Sequence, residues 1–588
     1  MADAKLAAQI VRMRQRRTGP FILELDLTDG IAEGPPSDPV SALLTMRRTR
    51  LQDLLDGLRR AADDDRVRIL VVKVGGSRIG LAKIQELRAA IGEFRRSGKL
   101  AVAWAESFGD FIRGNLPYYL ATGFDRIYLQ PSGTLGLTGV AVEQVFLHDA
   151  LQKLGVDFQS AKRYEYKSAA DQFTESGFTG PAREATARLA ESVTEQLAAA
   201  LAAGRGMSVE HATALLARGP FLASQALAEG LVDGLMYRDE VYDLVRKEAG
   251  QEATLLYLQR YQRTQSLNDL ARRVGSTVQS KAPGHHDRFV ATIYAHGAIR
   301  HGRSGRGAPG SGGGMGSDTV AAALRAAAAD DGARAVVLRV NSPGGSYTAS
   351  DVIWREVVRL RAAGKPVVVS MGDVAASGGY FIAAPADVIV AQPGTITGSI
   401  GVIMGKPVLQ QLFDRAGVAT DTITDGAGSD IATMFSSSRP FSDAEWSRIN
   451  EWLDAVYTDF TEKVASGRRL PVERVHELAR GRVWTGADAI ANGLADEAGG
   501  LREAVAIARK RAGLPDDAPV RVYPRLGPLD QLRPAESSEA RPAARGQLGG
   551  GALAALFADG WGPAWRFAAA AGLPPHGPLT LPGVWKIS

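Results

Sequence analysis

The sequence predicts a layered α/β protein built from two homologous halves of about 230 residues each. Three observations predict it. Short apolar runs of strand length alternate with longer segments of helical periodicity, the pattern of right-handed βαβ crossovers. The same signals recur, in the same order, further along the chain. The composition is that of an ordinary globular protein, with 588 residues, 45% apolar and 23% charged.

The chain opens on a basic, roughly amphipathic segment, residues 1–19. In it Lys5, Arg12, Arg14, Arg16 and Arg17 stand against Asp3. It has no apolar run and no small-residue cleavage site, so it does not read as a secretory signal. A solvated first helix is expected, with at most weak contact to a membrane surface. The first repeat spans 20–250, a connector 251–288, and the second repeat 289–525. Phe21–Gly34 resembles Phe289–Gly302, and Arg68–Val74 (RILVVKV) resembles Arg334–Val340 (RAVVLRV). Gly98-Lys99 answers Gly364-Lys365, Asp125 answers Asp387, and Gly230-Leu231 with Asp233 answers Gly493-Leu494 with Asp496. The first copy carries extra residues between about Gly109 and Tyr118.

In the second repeat, Ala335–Val340 reads as a buried strand and Ala349–Ala363 as a helix that Gly364 stops. Pro366–Met371 and Val388–Ala391 read as further strands, with a short helix over Gly379–Ala384. Gly302–Ser317 is glycine-rich enough to read as a flexible loop. Residues 526–588 read as a Pro/Gly/Ala-rich linker and a tail carrying Trp561, Trp565 and Trp585, expected to act as a docking segment.

Several classes of function are excluded or disfavoured. With no cysteine there is no disulfide, thiol nucleophile, thiolate zinc site or iron–sulfur cluster. A net charge of +5 is small for this length and does not suggest a nucleic-acid surface. The uncharged run Val388–Gly405 contains four glycines and Pro393, which suits strands and turns better than a bilayer helix. A cytoplasmic or peripheral-membrane protein is therefore expected.

Two turns of the second repeat are suited to chemistry. Ser377 lies in Gly372-Asp373-Val374-Ala375-Ala376-Ser377-Gly378-Gly379-Tyr380, where small neighbours allow a sharp strand-to-helix turn with an exposed hydroxyl. The Gly378 amide is placed for an oxyanion. Asn341-Ser342-Pro343-Gly344-Gly345 ends the preceding strand, and its glycines let the backbone aim N–H groups at a ligand. Both turns follow strand C-termini of one βαβ unit, so they should lie close together.

A serine needs a base. None of His148, His211, His285, His286, His296, His301, His476 and His576 lies in a motif built for proton transfer. A lysine serves instead if burial lowers its pKa, and Lys167 sits among Tyr164, Tyr166 and small residues. The repeat sharpens the argument. The first-repeat position matching Ser377 is Phe111 or Asn115, and Gly75–Ile79 lacks the Pro-Gly-Gly turn. The second-repeat position matching Lys167 is Ser429. One half has the lysine and the other the serine, so a single composite site per chain is the economical reading.

Through Tyr166-Lys167-Ser168-Ala169, Asn341–Gly345, Ala375–Tyr380 and Thr397-Gly398-Ser399-Ile400-Gly401, the chain resembles the signal peptide peptidase A (protease IV) family in its long double-domain form. The resemblance covers residues 20–515. It implies two tandem Clp-protease/crotonase-like domains of repeated β-β-α units. It also implies a Ser/Lys-dyad serine endopeptidase with Ser377 as nucleophile, Lys167 as general base and Ser399 orienting the lysine. Gly378 with Gly344 and Gly345 would form the oxyanion hole, with no metal or cofactor. Expected substrates are hydrophobic peptides such as released signal peptides, and the expected assembly is a homo-oligomer, tetrameric in the double-domain form. Relatives of this form are usually membrane-anchored. Two alternatives stay open: a crotonase-like thioester-processing enzyme and a catalytically silent peptide-binding scaffold.

Overall fold

The computed structural model describes residues 19–28, 30–34, 49–75, 79–109, 113–262, 288–304, 314–423, 431, 433–523 and the pair 579–580. The basic opening, most of the connector, the centre of the glycine-rich stretch and the tail other than 579–580 lie outside the described residues. Phe111 and Ser429 lie outside them too.

The first half is built on a parallel sheet. Its strands are β1 (Phe21–Asp26), β2 (Val67–Lys73), β3 (Leu100–Ala105), β4 (Arg126–Leu129), β6 (Gly234–Leu235) and β7 (Thr254–Tyr257), with β5 (Asp157–Arg163) standing apart. The order is β6-β4-β3-β2-β1-β7, every pairing parallel. Parallel sheets need cover on both faces, and the runs Ile69–Val72 and Ala101–Ala105 are buried throughout. Helices α1 (Leu81–Arg96), α2 (Asn115–Ala121) and α3 (Gly180–Arg205) belong to this half.

The second half repeats the plan. Its strands are β8 (Phe289–His296), β9 (Ala333–Ser342), β10 (Gly344–Gly345), β11 (Val367–Ala376), β12 (Val388–Ala391), β13 (Ile396–Gly398), β14 (Val402–Val408), β15 (Val483–Thr485), β16 (Glu497–Ala498) and β17 (Val520–Val522). The main path runs β15-β13-β11-β9-β8-β17, with β12 beside β11 and β16 beyond it. Helices α4 (Tyr347–Ala362), α5 (Gly378–Ala383) and α6 (Asp443–Arg468) follow in order. Equivalent side chains fix equivalent joints. Tyr118 Oη donates to the Leu231 carbonyl at 2.6 Å, and Tyr380 Oη to the Leu494 carbonyl at 2.8 Å. Helices α3 and α6 are both 26 residues long, capped by the Thr179 and Ser442 hydroxyls.

One strand runs further than its apolar pattern predicts. The expected strand Pro366–Met371 continues to Ala376, because β11 changes partner along its length. One edge stays on β9, from Val336↔Val367 to Ser342↔Ala375 across a register shift, while the other passes from β12 at Val368–Ser370 to β13 at Val374–Ala376. Gly372 and Asp373 interrupt the apolar run without ending the strand, and this extension carries the chain to Ser377. The glycine-rich turn is likewise a short strand: Gly345 pairs with Ile299. A Cβ on Gly345 would stand 2.1 Å from the Ile299 carbonyl oxygen, so only glycine fits.

The halves are joined across their interface. β5 of the first half pairs antiparallel with β14 of the second, from Asp157↔Val408 to Arg163↔Val402. Arg339, fully buried on β9, bonds Glu33 at 2.6 Å and Glu86 at 2.7 Å from the first half, and Lys83 bonds Asp373 at 2.7 Å. Burial alone would raise the Glu33 pKa, but Arg339 and Lys83 outweigh it and hold this carboxylate at about 2. Glu86 differs: burial pushes its carboxyl up. The cluster ties α1 to the strands that end at Ser377 and the glycine turn.

Candidate active site

Ser377 sits at the elbow between β11 and α5 with φ 54°, a left-handed conformation costly for a residue with a Cβ. Its N–H donates to the Gly398 carbonyl at 2.8 Å, and its own carbonyl accepts from Phe381 N–H at 2.8 Å. The turn needs its small neighbours: a Cβ on Gly379 would lie 2.5 Å from the Ser342 carbonyl oxygen. A Cβ on Gly378 would lie 2.8 Å from Ser350 Oγ and 3.1 Å from the Gly345 nitrogen. The elbow and the glycine turn are thus in direct contact.

Lys167 arrives from the other half. The β5–β14 ladder carries the chain onto the second half, and Arg163 fastens its end to α6 through Asp454 at 2.5 Å and the Asn450 carbonyl at 3.0 Å. The following turn is closed by Lys167 N–H donating to the Tyr164 carbonyl at 3.1 Å. The Lys167 side chain is fully buried. Its Nζ lies 2.9 Å from Ser377 Oγ, 2.9 Å from the Ser399 carbonyl oxygen and 3.0 Å from Ser399 Oγ. Ser399 also has positive φ, 52°, and its N–H donates to the Arg482 carbonyl at 2.7 Å.

Burial pushes the Lys167 pKa well below its usual 10.5, because an ammonium loses its water there. Between the depressed value and 10.5 the folded lysine is neutral while an unfolded one holds a proton. Stability therefore rises with pH through that window. A neutral amine has two N–H groups and one lone pair. The Ser399 carbonyl can only accept, so it takes one N–H. The other N–H and the lone pair are shared between the two hydroxyls, Ser399 Oγ and Ser377 Oγ, either of which can donate or accept.

The structure brings together Ser377, Lys167, Ser399, Gly378 and Gly345. Gly344 differs in one respect: its N–H donates to Ser342 Oγ at 3.2 Å, so this amide is already occupied. The histidine side chains with bonds make them elsewhere: His148 with Phe173, His296 with Asn341, His301 with Ser346 and Thr348, His476 with Tyr457. Sequence reasoning missed two parts. One is the Ser399 carbonyl, which no side-chain motif announces. The other is Gly481, at φ 86°, where a Cβ would fall 2.5 Å from both the backbone nitrogen and the Cβ of Lys167. A glycine between Arg480 and Arg482 was the available signal.

Comparison with known proteins identifies the family. A family model described as peptidase family S49 matches twice, over residues 93–252 and 359–515. "Protease 4" of Salmonella typhi is 34% identical over 478 residues, covering 80% of this chain and 73% of that protein. "Protease 4" of Haemophilus influenzae is 31% identical, covering 78% and 72%. "Serine protease SPPA, chloroplastic" of Arabidopsis thaliana is 30% identical, covering 79% and 66%. With two matched regions and relatives aligned over most of its length, the chain belongs to peptidase family S49 and is a serine peptidase of the long, double-domain form.

Proposed function

We propose that the chain is an endopeptidase working through a Ser377/Lys167 dyad assembled from two tandem Clp-protease/crotonase-like domains, residues 20–250 and 289–525. The observation that carries this reading is the 2.9 Å contact between a fully buried Lys167 Nζ and Ser377 Oγ. Neutral Lys167 takes the Ser377 proton as Oγ bonds to the peptide carbonyl carbon. The Gly378 and Gly345 amides stabilise the oxyanion, and the Gly344–Gly345 backbone lines its other side. The resulting ammonium protonates the leaving amine as the C–N bond breaks. A water then gives its proton to Lys167 and attacks the acyl carbon; the C–Oγ ester bond breaks, and the lysine ammonium returns the proton to Ser377 Oγ, restoring the neutral base. Ser399 holds the amine in register through both steps. A thioester enzyme would use the same oxyanion amides but has no need of a lysine on Ser377, which is why the peptidase reading is preferred.

Hydrophobic peptides, such as released signal peptides, are the proposed substrates. Supporting this class, Val418, Ile423, Ile431 and Phe435 stand exposed on the segment after β14. Lys406 on β14 anchors that segment by donating to the Met434 and Ser436 carbonyls, both at 2.8 Å. A homo-oligomer, a tetramer by family resemblance, is also proposed. Residues 140–146 occupy the first-half position equivalent to β14 and carry no strand, while 419–423 occupy the second-half position equivalent to β5. Set against each other in neighbouring copies, they would repeat the β5–β14 ladder. The test is covalent labelling by a fluorophosphonate with peptide mapping. Labelling at Ser377, lost in Ser377→Ala together with turnover of an apolar fluorogenic peptide, is expected. Labelling elsewhere, or turnover that survives Ser377→Ala, sinks the assignment.

A further inference from the structure

Helices α1 and α4 are equivalent, both 16 residues long, and each serves as a control for the other. What the fold requires appears in both. Arg95 donates to Asp125 at 2.7 Å and to the Gly123 carbonyl at 2.9 Å. Arg361 does the same, to Asp387 at 2.9 Å and to the Pro385 carbonyl at 2.6 Å. Arg88 and Arg96 have no such counterpart, since α4 carries Trp354 and Ala362 at their positions. Among the described residues neither guanidinium makes a hydrogen bond or an ion pair. Arg88 lies over the Tyr119 ring, 5.2 Å from its centroid, with its Nε buried and unmet. A buried N–H without an acceptor is destabilising, so the fold alone gives no reason for this arginine.

Both arginines line a cavity of about 510 Å³ at the joint between the halves. The second half contributes Gln392 and Pro393, in the turn after the C-terminal end of β12, and Glu503 of α7 (Leu501–Arg511). Gln392 is only 7% exposed, yet its carboxamide makes no hydrogen bond among the described residues. The carboxylates of the cavity are engaged already: Glu93 pairs with Arg502, and Glu503 accepts from Gly500 N–H at 2.7 Å. Two positive charges and one buried carboxamide are left without partners. The volume is that of a small-molecule site, and Gln392 stands where α/β sheets bind ligands, beyond the carboxyl end of a parallel strand.

We propose that this cavity binds a phosphate group, as inorganic phosphate or a phosphomonoester, held by Arg88, Arg96 and the Gln392 amide. Two uncompensated guanidiniums call for a dianion. A phosphomonoester carries close to two negative charges at neutral pH, and guanidinium forks match its oxygens. A monocarboxylate would leave one charge unmatched. The ligand joins α1 to the turn that Gln85 and Gln196 already tie to the first half, through Gly394 N–H at 2.8 Å and the Pro393 carbonyl at 3.2 Å. Its occupancy therefore stabilises the joint between the halves.

The test is isothermal titration of the full-length protein with inorganic phosphate and with glycerol phosphate, ionic strength being held constant with chloride. Saturable binding at one site per chain is expected, weakened at least about tenfold in Arg88→Gln and less in Arg96→Ala. Arg96→Ala removes an exposed side chain and serves where Arg88→Gln folds poorly. Phosphate should also raise the thermal midpoint of wild type more than that of Arg88→Gln, and slow hydrogen–deuterium exchange in the turn at Gln392–Gly394. A further arm uses vesicles with and without phosphatidic acid. Arg88-dependent binding to the phosphatidic acid vesicles, with no response to the soluble phosphates, assigns the phosphate to a lipid headgroup. No saturable binding of any of these probes, or binding equally strong in wild type and both variants, overturns the proposal. Peptide turnover enters none of these readouts, so the outcome is independent of the Ser377 assignment.

Discussion

Asn115 and Ser377 occupy the same place in the two halves and do opposite things. Counting back from the equivalent tyrosines, Tyr118 and Tyr380, both residues begin the turn into the short helix. In the first half the site is closed on itself. Asn115 is buried, its Nδ2 donates to the Gly139 carbonyl at 2.7 Å, and its Oδ1 accepts from Thr138 N–H at 3.0 Å. In the second half the matching segment, Ser399–Gly401, does not meet Ser377 directly. Lys167 stands between them, bonded to both. The repeat keeps the scaffold twice and the chemistry once. What one half closes with an amide, the other leaves open for a lysine supplied across the β5–β14 ladder.

The sharpest way to break this comparison is to remove the pair. Ser377→Ala is expected to abolish peptide turnover, and Lys167→Met to lower kcat/KM by roughly 10²–10⁴-fold, the usual range for a general base. Circular dichroism should be unchanged in both. Methionine fills the lysine's space without a polar head, so a thermal midpoint at or above wild type is expected for Lys167→Met. Retained turnover in either folded variant contradicts the split-site account.

Next in size is Gly481→Ala. The added methyl meets Lys167 at 2.5 Å in a backbone already at φ 86°. Displacing the amine by about 1 Å should cost about 100-fold in kcat, read with substrate saturation so that KM is separated. An unchanged kcat would mean that the lysine's position is not tightly set. Ser399→Ala is expected to be milder, about 1–3 kcal/mol of transition-state stabilisation, because the carbonyl partner remains. Its signature should be a lower kcat with little change in KM.

Much of this arrangement was legible in the sequence, for definite reasons. Ser377 and Gly344–Gly345 lie in turns whose residue types already restrict backbone geometry, and the split of lysine from serine emerges on aligning the repeats. The length of β11 was not legible, because Gly372 and Asp373 hide a strand that passes from β12 to β13 along one edge there. Nor was the β5–β14 ladder. β5, Asp157–Arg163, has mostly half-buried, polar residues, so its apolar signal is weak although its backbone pairing is long. Gly344 illustrates a finer limit. Its neighbour Ser342 takes the amide that the glycine pattern offers to a ligand.

The smallest expected effect on catalysis belongs to Asn115→Ala. It removes the partners of the Gly139 carbonyl and the Thr138 amide, for about 1–3 kcal/mol of stability by denaturant titration. Turnover by the folded enzyme should not change. A loss of kcat would show that the closed half contributes to the chemistry.

The most direct test of the central claim, that a neutral lysine from the first half is the base for a serine in the second, is a pH–rate profile between pH 5 and 10. Because burial lowers the Lys167 pKa, the reactive form is the one above that pKa. kcat/KM should rise about tenfold per pH unit through a single titration and then level on the alkaline side. That limb should vanish in Lys167→Ala. A profile that instead levels after an apparent pKa near 6.5, the ordinary histidine value, and that survives Lys167→Ala would contradict the account.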